Sequence, residues 1–172
     1  MEKNFLTIIL IVLILVGPAA AVQAGENPAG AEFSAIADLS ADGLPAVRIL
    51  VKTGEQAINA VAAHLSFDPA VWQVAALEQT NSFCSLWLEA SFDNTAGKID
   101  LLCGLPNPGF SGIGLVGKII FTAWPPAETT AVVFAPDGLA LANDGQGTNI
   151  LSHTEDFIWP AGSDLAENDL SK

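Results

Sequence analysis

The chain has 172 residues, is 51% hydrophobic, and sets 19 acidic residues against 6 Lys and Arg, a formal net charge of −13. That balance excludes nucleic acid and anionic membrane surfaces as partners, because both are recognised by clustered Lys and Arg. A solvated surface that keeps the protein soluble accounts for most of the acidity.

Residues 1–24 read as a signal peptide. Lys3 supplies the positive end, Phe5 to Val16 is an apolar run of twelve residues, and Gly17-Pro18 breaks it. The run is shorter than the roughly 20 residues that a spanning helix needs. Val22 and Ala24 satisfy the small-x-small rule for cleavage after Ala24. The expected product is secreted and extracellular, with no membrane insertion after cleavage. Removing the signal takes away one acid, Glu2, and one base, Lys3, so the net charge is unchanged. The remainder is the size of one domain with a proper core.

Residues 25–32 are small and polar, a flexible lead-in. Short strands are then predicted over 33–37, 47–52, 58–67, 71–77, 83–92, 98–103, 116–124, 130–134, 139–142, 149–151 and 157–159. Gly, Pro, Asn and Asp separate them, and helical periodicity is weak. This pattern reads as an all-β antiparallel sandwich. Val61 to Trp72 carries it most clearly. Val61, Ala63, Leu65 and Phe67 alternate with Ala62, His64 and Ser66, which places one apolar row on one strand face. Asp68-Pro69 stops that strand, since proline has no N–H for the ladder, and Val71-Trp72 restarts an apolar run.

Cys84 and Cys103 flank the turn-forming cluster Asp93-Asn94-Thr95-Ala96-Gly97. In an exported chain they are expected to pair as a disulfide. The loop so closed would contribute roughly 3 kcal/mol in the chain-entropy model. Gly112-Ile-Gly114-Leu-Val-Gly117 matches G-x-G-x-x-G, but Lys118 to Trp124 after it reads as a strand. The dinucleotide fingerprint requires a helix there, so the glycines are expected to form a flexible loop feeding the strand. Asn143, Asp144 and Asn149 lie in a segment rich in oxygen and glycine that could hold Ca²⁺. An Asn-Asp-Gly turn is the simpler reading, and no cofactor is otherwise expected.

Catalytic residues are not assigned. His64 and His153 fit no metal-ligand spacing, and Ser111 lacks the G-x-S-x-G frame. The carboxylates leave a glycoside hydrolase pair open as the least favoured reading. Trp72 and Trp124 sit in apolar contexts and read as core. Trp87 is the tryptophan least bound to the core and a candidate for stacking on a glycan. His64 and Ser66 point away from the apolar row of their strand and are the other binding-face candidates. The tail, residues 160–172, is acidic, poor in apolar residues and expected to be disordered.

Several stretches together resemble a cohesin-type domain, within the cohesin and carbohydrate-binding-module superfamily. They are Ala46-Val-Arg-Ile-Leu-Val-Lys52, Leu65-Ser-Phe-Asp-Pro-Ala-Val-Trp72, Asn94-Thr-Ala-Gly-Lys-Ile-Asp100, Gly117-Lys-Ile-Ile-Phe-Thr122 and the run from Leu141 to Leu151. Pro106-Asn-Pro-Gly-Phe-Ser-Gly112 with Ala142 to Leu151 is similar to stand-alone bacterial cohesin-like proteins. The resemblance spans residues 33–159. It implies a jelly-roll sandwich that is not an enzyme and that binds a dockerin-like protein module through one sheet face, in extracellular polysaccharide-related assemblies. A single copy, with no repeats, departs from a scaffoldin. The readings that stand are a monomeric protein-binding adaptor, a carbohydrate-binding module and, last, a hydrolase.

Overall fold

The computed structural model describes residues 30–125 and 130–159. The signal peptide, most of the lead-in and the acidic tail lie outside the described residues. Among those residues the chain forms eleven strands and no helix. They are β1 Ala31–Leu39, β2 Pro45–Lys52, β3 Ile58–Phe67, β4 Val74–Glu78, β5 Leu86–Asp93, β6 Lys98–Gly104, β7 Ile113–Phe121, β8 Thr130–Phe134, β9 Leu139–Ala142, β10 Leu151–Glu155 and β11 Phe157–Trp159.

Two sheets pack face to face. The back sheet runs β10-β1-β2-β7-β4, and the front sheet runs β11-β8-β3-β6-β5 with β9 also paired to β3. The chain passes from one sheet to the other after β2, β3, β4, β6, β7, β9 and β10, while β5–β6 stays in the front sheet as a hairpin. This is the expected jelly-roll sandwich. The one parallel pairing is β1 with β10.

The alternation in β3 sets the inner layer as the sequence implied. Val61, Ala63, Leu65 and Phe67 are buried, and Leu101, Ile99 and Cys103 face the core from β6. Val47, Ile49 and Val51 do the same from β2. β-branched side chains recur here because they pack well on a pleated, half-buried surface. Aromatic rings fill one end: Trp72 stacks on Phe121 with centroids 4.1 Å apart, and Trp159 meets Trp72 edge-on at 5.8 Å.

The Asp68-Pro69 corner carries the chain from the front sheet to the back. The Asp68 carboxylate accepts the Ala70 amide at 2.9 Å, and its carbonyl accepts the Trp72 amide at 2.9 Å. Val71 and Trp72 therefore belong to a tight turn and not to the expected strand, which begins only at Val74. The turn of the β5–β6 hairpin locks against this corner. Phe67 donates to the Gly97 carbonyl at 2.9 Å, and Gly97 has φ +65° with no room for a Cβ beside the Phe67 carbonyl.

Three other expectations are corrected. β7 starts at Ile113, so Gly114 and Gly117 lie inside the strand and not in a loop. Gly114 is required there because the Phe110 ring packs where its Cβ would stand, and Phe110 stacks on Phe83 at 4.5 Å. β5 starts at Leu86 and not Phe83, since residues 83–85 turn between the sheets. Trp124 lies beyond the end of β7 and is 39% exposed, with only its edge against Trp159 at 5.3 Å, so it is not a core residue.

Cys84 and Cys103 form the expected disulfide, with Cα atoms 5.8 Å apart, and both are buried. The bond joins the loop before β5 to the inner face of β6. Replacing both cysteines by alanine is expected to lower the unfolding free energy by about 3 kcal/mol in urea titration; an unchanged midpoint would show the loop closure to be energetically idle. Gly97→Ala is expected to cost more than about 1 kcal/mol in the same assay, because it combines a left-handed φ with a steric overlap. Wild-type stability would show that the corner can yield.

Candidate functional site

The sandwich has two outer faces of different chemistry. On the back sheet, β1, β2, β4 and β7 carry a set of ion pairs. Lys118 Nζ lies 3.0 Å from Asp38 and 3.7 Å from Glu78, Arg48 approaches Asp38 at 3.5 Å, and Lys52 approaches Glu32 at 3.5 Å. Burial works to raise the Asp38 pKa. The Lys118 hydrogen bond, the Leu39 amide and the charges of Lys118 and Arg48 together outweigh it and hold the carboxyl below its ordinary value.

The front face is organised by β3. Its outward residues pair across to β6 as Ala60 with Gly104, Ala62 with Leu102, His64 with Asp100 and Ser66 with Lys98. On the other side Leu141 and Leu139 of β9 stand opposite Ala60 and Ala62, and Val133 of β8 opposite Ser66. The face therefore divides along the strand direction. At one end Ala60, Ala62, Leu88, Leu102, Leu139 and Leu141 line an apolar cleft of ≈ 220 Å³. At the other, His64, Ser66, Lys98, Asp100 and Asp137 line a polar hollow of ≈ 210 Å³. Rows two residues apart on a strand are separated by about 7 Å, so the two depressions adjoin.

Strand β9 is the clearest anomaly. In Leu139-Ala-Leu-Ala142 the alanines point inward, 0% and 1% exposed, while Leu139 is 38% exposed. Burying a leucine side chain is favourable by roughly 2 kcal/mol, yet here the small residues take the core. Leu88 at 76% and Leu86 at 56% exposure extend the same apolar surface on β5. A β-bulge between Trp87 and Glu89 brings Leu88 out over the cleft.

His64 and Ser66 both lie on this face. The His64 Nδ1 atom is 2.6 Å from Asp100 Oδ1, with both side chains about one-third exposed. Trp87 is placed differently. It stands opposite Cys103 on the inner side of the sheet and packs against the core, so it does not share the outer face with His64 and Ser66.

The oxygen-rich turn lies at the end of β9. Asp144 accepts the Gln146 amide at 2.8 Å and the Thr148 hydroxyl at 2.5 Å, and these bonds, Thr148 first, hold its pKa below the ordinary value. Asn149 Oδ1 accepts the amides of Ala140 and Leu151, and the Asn143 side chain donates to Pro108 at 2.8 Å. Each of the three side chains thus closes a turn or ties a strand. Among the described residues no three or more His, Cys, Asp or Glu side chains are grouped to hold a metal ion.

Sequence reasoning missed the leucines of the face, and Asp100 and Lys98, which line the polar hollow beside His64. Leu-Ala-Leu-Ala carries no cue to which row is inward, because its larger residues would ordinarily be assigned to the core. The facing row on β3 is the missing information, and it is non-local.

No family model matches the sequence, and no curated protein matches it. Solved structures do. The third cohesin of ScaC from Acetivibrio cellulolyticus, in complex with the ScaB dockerin, aligns over 74% of this chain and 96% of its own, with a TM-score of 0.57 at 13% identity. The OlpC cohesin in complex with Doc435 from Clostridium thermocellum covers 76% and 92%, with a TM-score of 0.59 at 10% identity. A non-cellulosomal cohesin from the archaeon Archaeoglobus fulgidus covers 76% and 89%, with a TM-score of 0.56 at 15% identity. The fold of this chain is the cohesin sandwich.

The back-face ion pairs make a pH-dependent contribution. A lowered carboxyl pKa stabilises the fold above the unfolded value, about 3.9, and that contribution is lost as pH falls through the folded pKa. Asp38→Asn is expected to cost under about 1 kcal/mol at pH 7, discounted for its partial exposure, and progressively less as pH falls below the ordinary carboxylate range. A deficit that does not change with pH would assign the loss to packing.

Proposed function

We propose that this protein is an exported, non-catalytic docking module that holds a dockerin-like protein module on the outer face of its front sheet. The observation that carries the reading is the shared fold with cohesin modules solved in complex with dockerins. The leucines turned outward on β9 and β5 support the choice of face, since an exposed apolar patch ringed by polar groups marks an interaction surface. The back face carries ion pairs among its outward residues, and its large exposed hydrophobic side chain is Ile113, set apart from any comparable cleft among the described residues.

The buried disulfide supports export, because such bonds persist outside the cytoplasm. In this reading residues 1–24 are removed, and the mature module acts as a monomer within extracellular polysaccharide-related assemblies. The alternative, a carbohydrate-binding module with an exposed aromatic such as Trp87, has less support, because that ring is half-buried against the core. In this reading the Asn143–Asn149 turn serves as a structural corner of β9, held by the hydrogen bonds of Asn143, Asp144 and Asn149.

The test is capture from the secreted proteins of the source organism, using immobilised mature protein and a Leu88→Glu variant. A dockerin-bearing protein is expected to bind the wild type and to lose at least about tenfold in affinity for Leu88→Glu, as for the loss of a buried apolar anchor. Lys52→Ser, on the back face, is expected to bind normally. Capture unaffected by Leu88→Glu but abolished by Lys52→Ser would move the site to the other sheet, and recovery of glycan instead of protein would replace the reading.

A further inference from the structure

A second feature of the front sheet lies at its edge, in the backbone of β5 and not in the outward side chains. Among the described residues strand β5 pairs with β6 alone, so one side of its backbone ladder has no partner there along Leu86–Asp93. The other strands that end a sheet are shorter: five residues in β4, five in β10 and three in β11. Proteins blunt such edges with lysine or proline, and Leu-Trp-Leu-Glu-Ala-Ser-Phe-Asp has neither. The bulge at Leu88 and the acidic Glu89 and Asp93 guard it against a second copy of itself, and leave it open to a strand of opposite charge.

The core also stops abruptly at this strand. Cys103, Leu101 and Ile99 of β6 are 0–1% exposed, whereas Trp87, Ala90 and Phe92, which stand opposite them on the same inner row, are all incompletely covered, Phe92 at 39%. The seam between β5 and β4 is fastened at its two ends. Asn94 bridges to the Val74 amide and carbonyl at 2.8 and 3.0 Å at one end. The Cys84–Cys103 disulfide and the Ser82 hydroxyl, bonded to the Val116 carbonyl at 2.6 Å, fasten the other. Between these clips lie an uncovered inner row and an unpaired ladder.

We infer that β5 is a strand-addition site, which takes an extended segment of another protein whose apolar side chains alternate with basic ones. The free amides and carbonyls specify an extended backbone. The uncovered Trp87–Phe92 row specifies apolar side chains at alternate positions on the inner side. Charge specifies the rest: the ionisable groups of β5, Glu89 and Asp93, are both acidic. A second copy of this chain is disfavoured as occupant, because self-pairing would set these carboxylates against their own kind in a protein of net charge −13.

The test uses a display library of random nine-residue peptides panned on the mature protein. Enriched peptides are expected to alternate apolar with Lys or Arg and to slow hydrogen exchange of β5 amides about tenfold or more. N-methylation of their ladder-facing amides is expected to abolish binding, and a scrambled peptide of equal charge is expected to give no protection. The inference is overturned if no peptide is enriched, if protection maps outside β5, or if the scrambled peptide protects equally. It is also overturned if sedimentation shows that the protein alone self-associates with β5 amides protected, which would make a second copy the occupant. A result confined to β5 leaves the front-face reading to a variant away from that strand: Leu139→Glu on β9, across β3 and β6 from the β5 ladder, is expected to weaken dockerin capture while peptide protection of β5 persists.

Discussion

The structure depends on the two-residue period of β3. Its inner row, Val61 to Phe67, is the floor of the core. Its outer row, Ala60 to Ser66, is the axis of the front face. Because β3 pairs with β6 on one side and with both β9 and β8 on the other, one register governs which side chains of four strands reach solvent. A slip by one residue would exchange the two rows and turn His64 and Ser66 into the core. The buried aliphatic row forbids that slip, so packing inside the sandwich fixes the chemistry shown outside it.

The corner at Asp68-Pro69 holds that register at its end. It reverses the chain in one hydrogen-bonded turn, delivers Trp72 onto Phe121 between the sheets, and leaves Phe67 bonded to Gly97 of the neighbouring hairpin. The disulfide acts at the opposite end of the same hairpin. Both ends of the β5–β6 pair are thereby fixed to other parts of the sandwich, which keeps Leu88, Leu102 and Asp100 in place relative to β3. An apolar cleft and a polar hollow side by side then give a partner both a place to bury side chains and a direction in which to lie.

Much of this was legible in the sequence, and the failures share a cause. Strict alternation identified β3 and its inward row, and the resemblance to cohesins anticipated the fold. The Cys pair was read from compartment and spacing. What local pattern could not supply was orientation. Leu-Ala-Leu-Ala in β9 and Leu-Trp-Leu-Glu in β5 each offer two faces of similar apolar content, and only the facing strands decide between them. Trp87 was placed outward on its neighbours in sequence, whereas Cys103 opposite it faces the core. Trp124 was placed inward because it follows an apolar strand, but the strand ends at Phe121 before reaching it. The glycines after Gly112 look like a loop by local pattern, because nothing local reveals the Phe110 ring that requires Gly114 within β7.

The claim at the centre of this account is that a protein partner lies across the β3–β6–β9 face. Hydroxyl-radical footprinting of the mature protein with and without its captured partner tests it most directly, since it reads side chains and not backbone amides already locked in the sheet. The account predicts that Leu88, Leu102, Leu139, Leu141 and His64 lose reactivity together on binding while Ile36, Leu50 and Leu115 of the back sheet do not change. Protection of the back-sheet residues, with the front leucines as reactive as before, would contradict it.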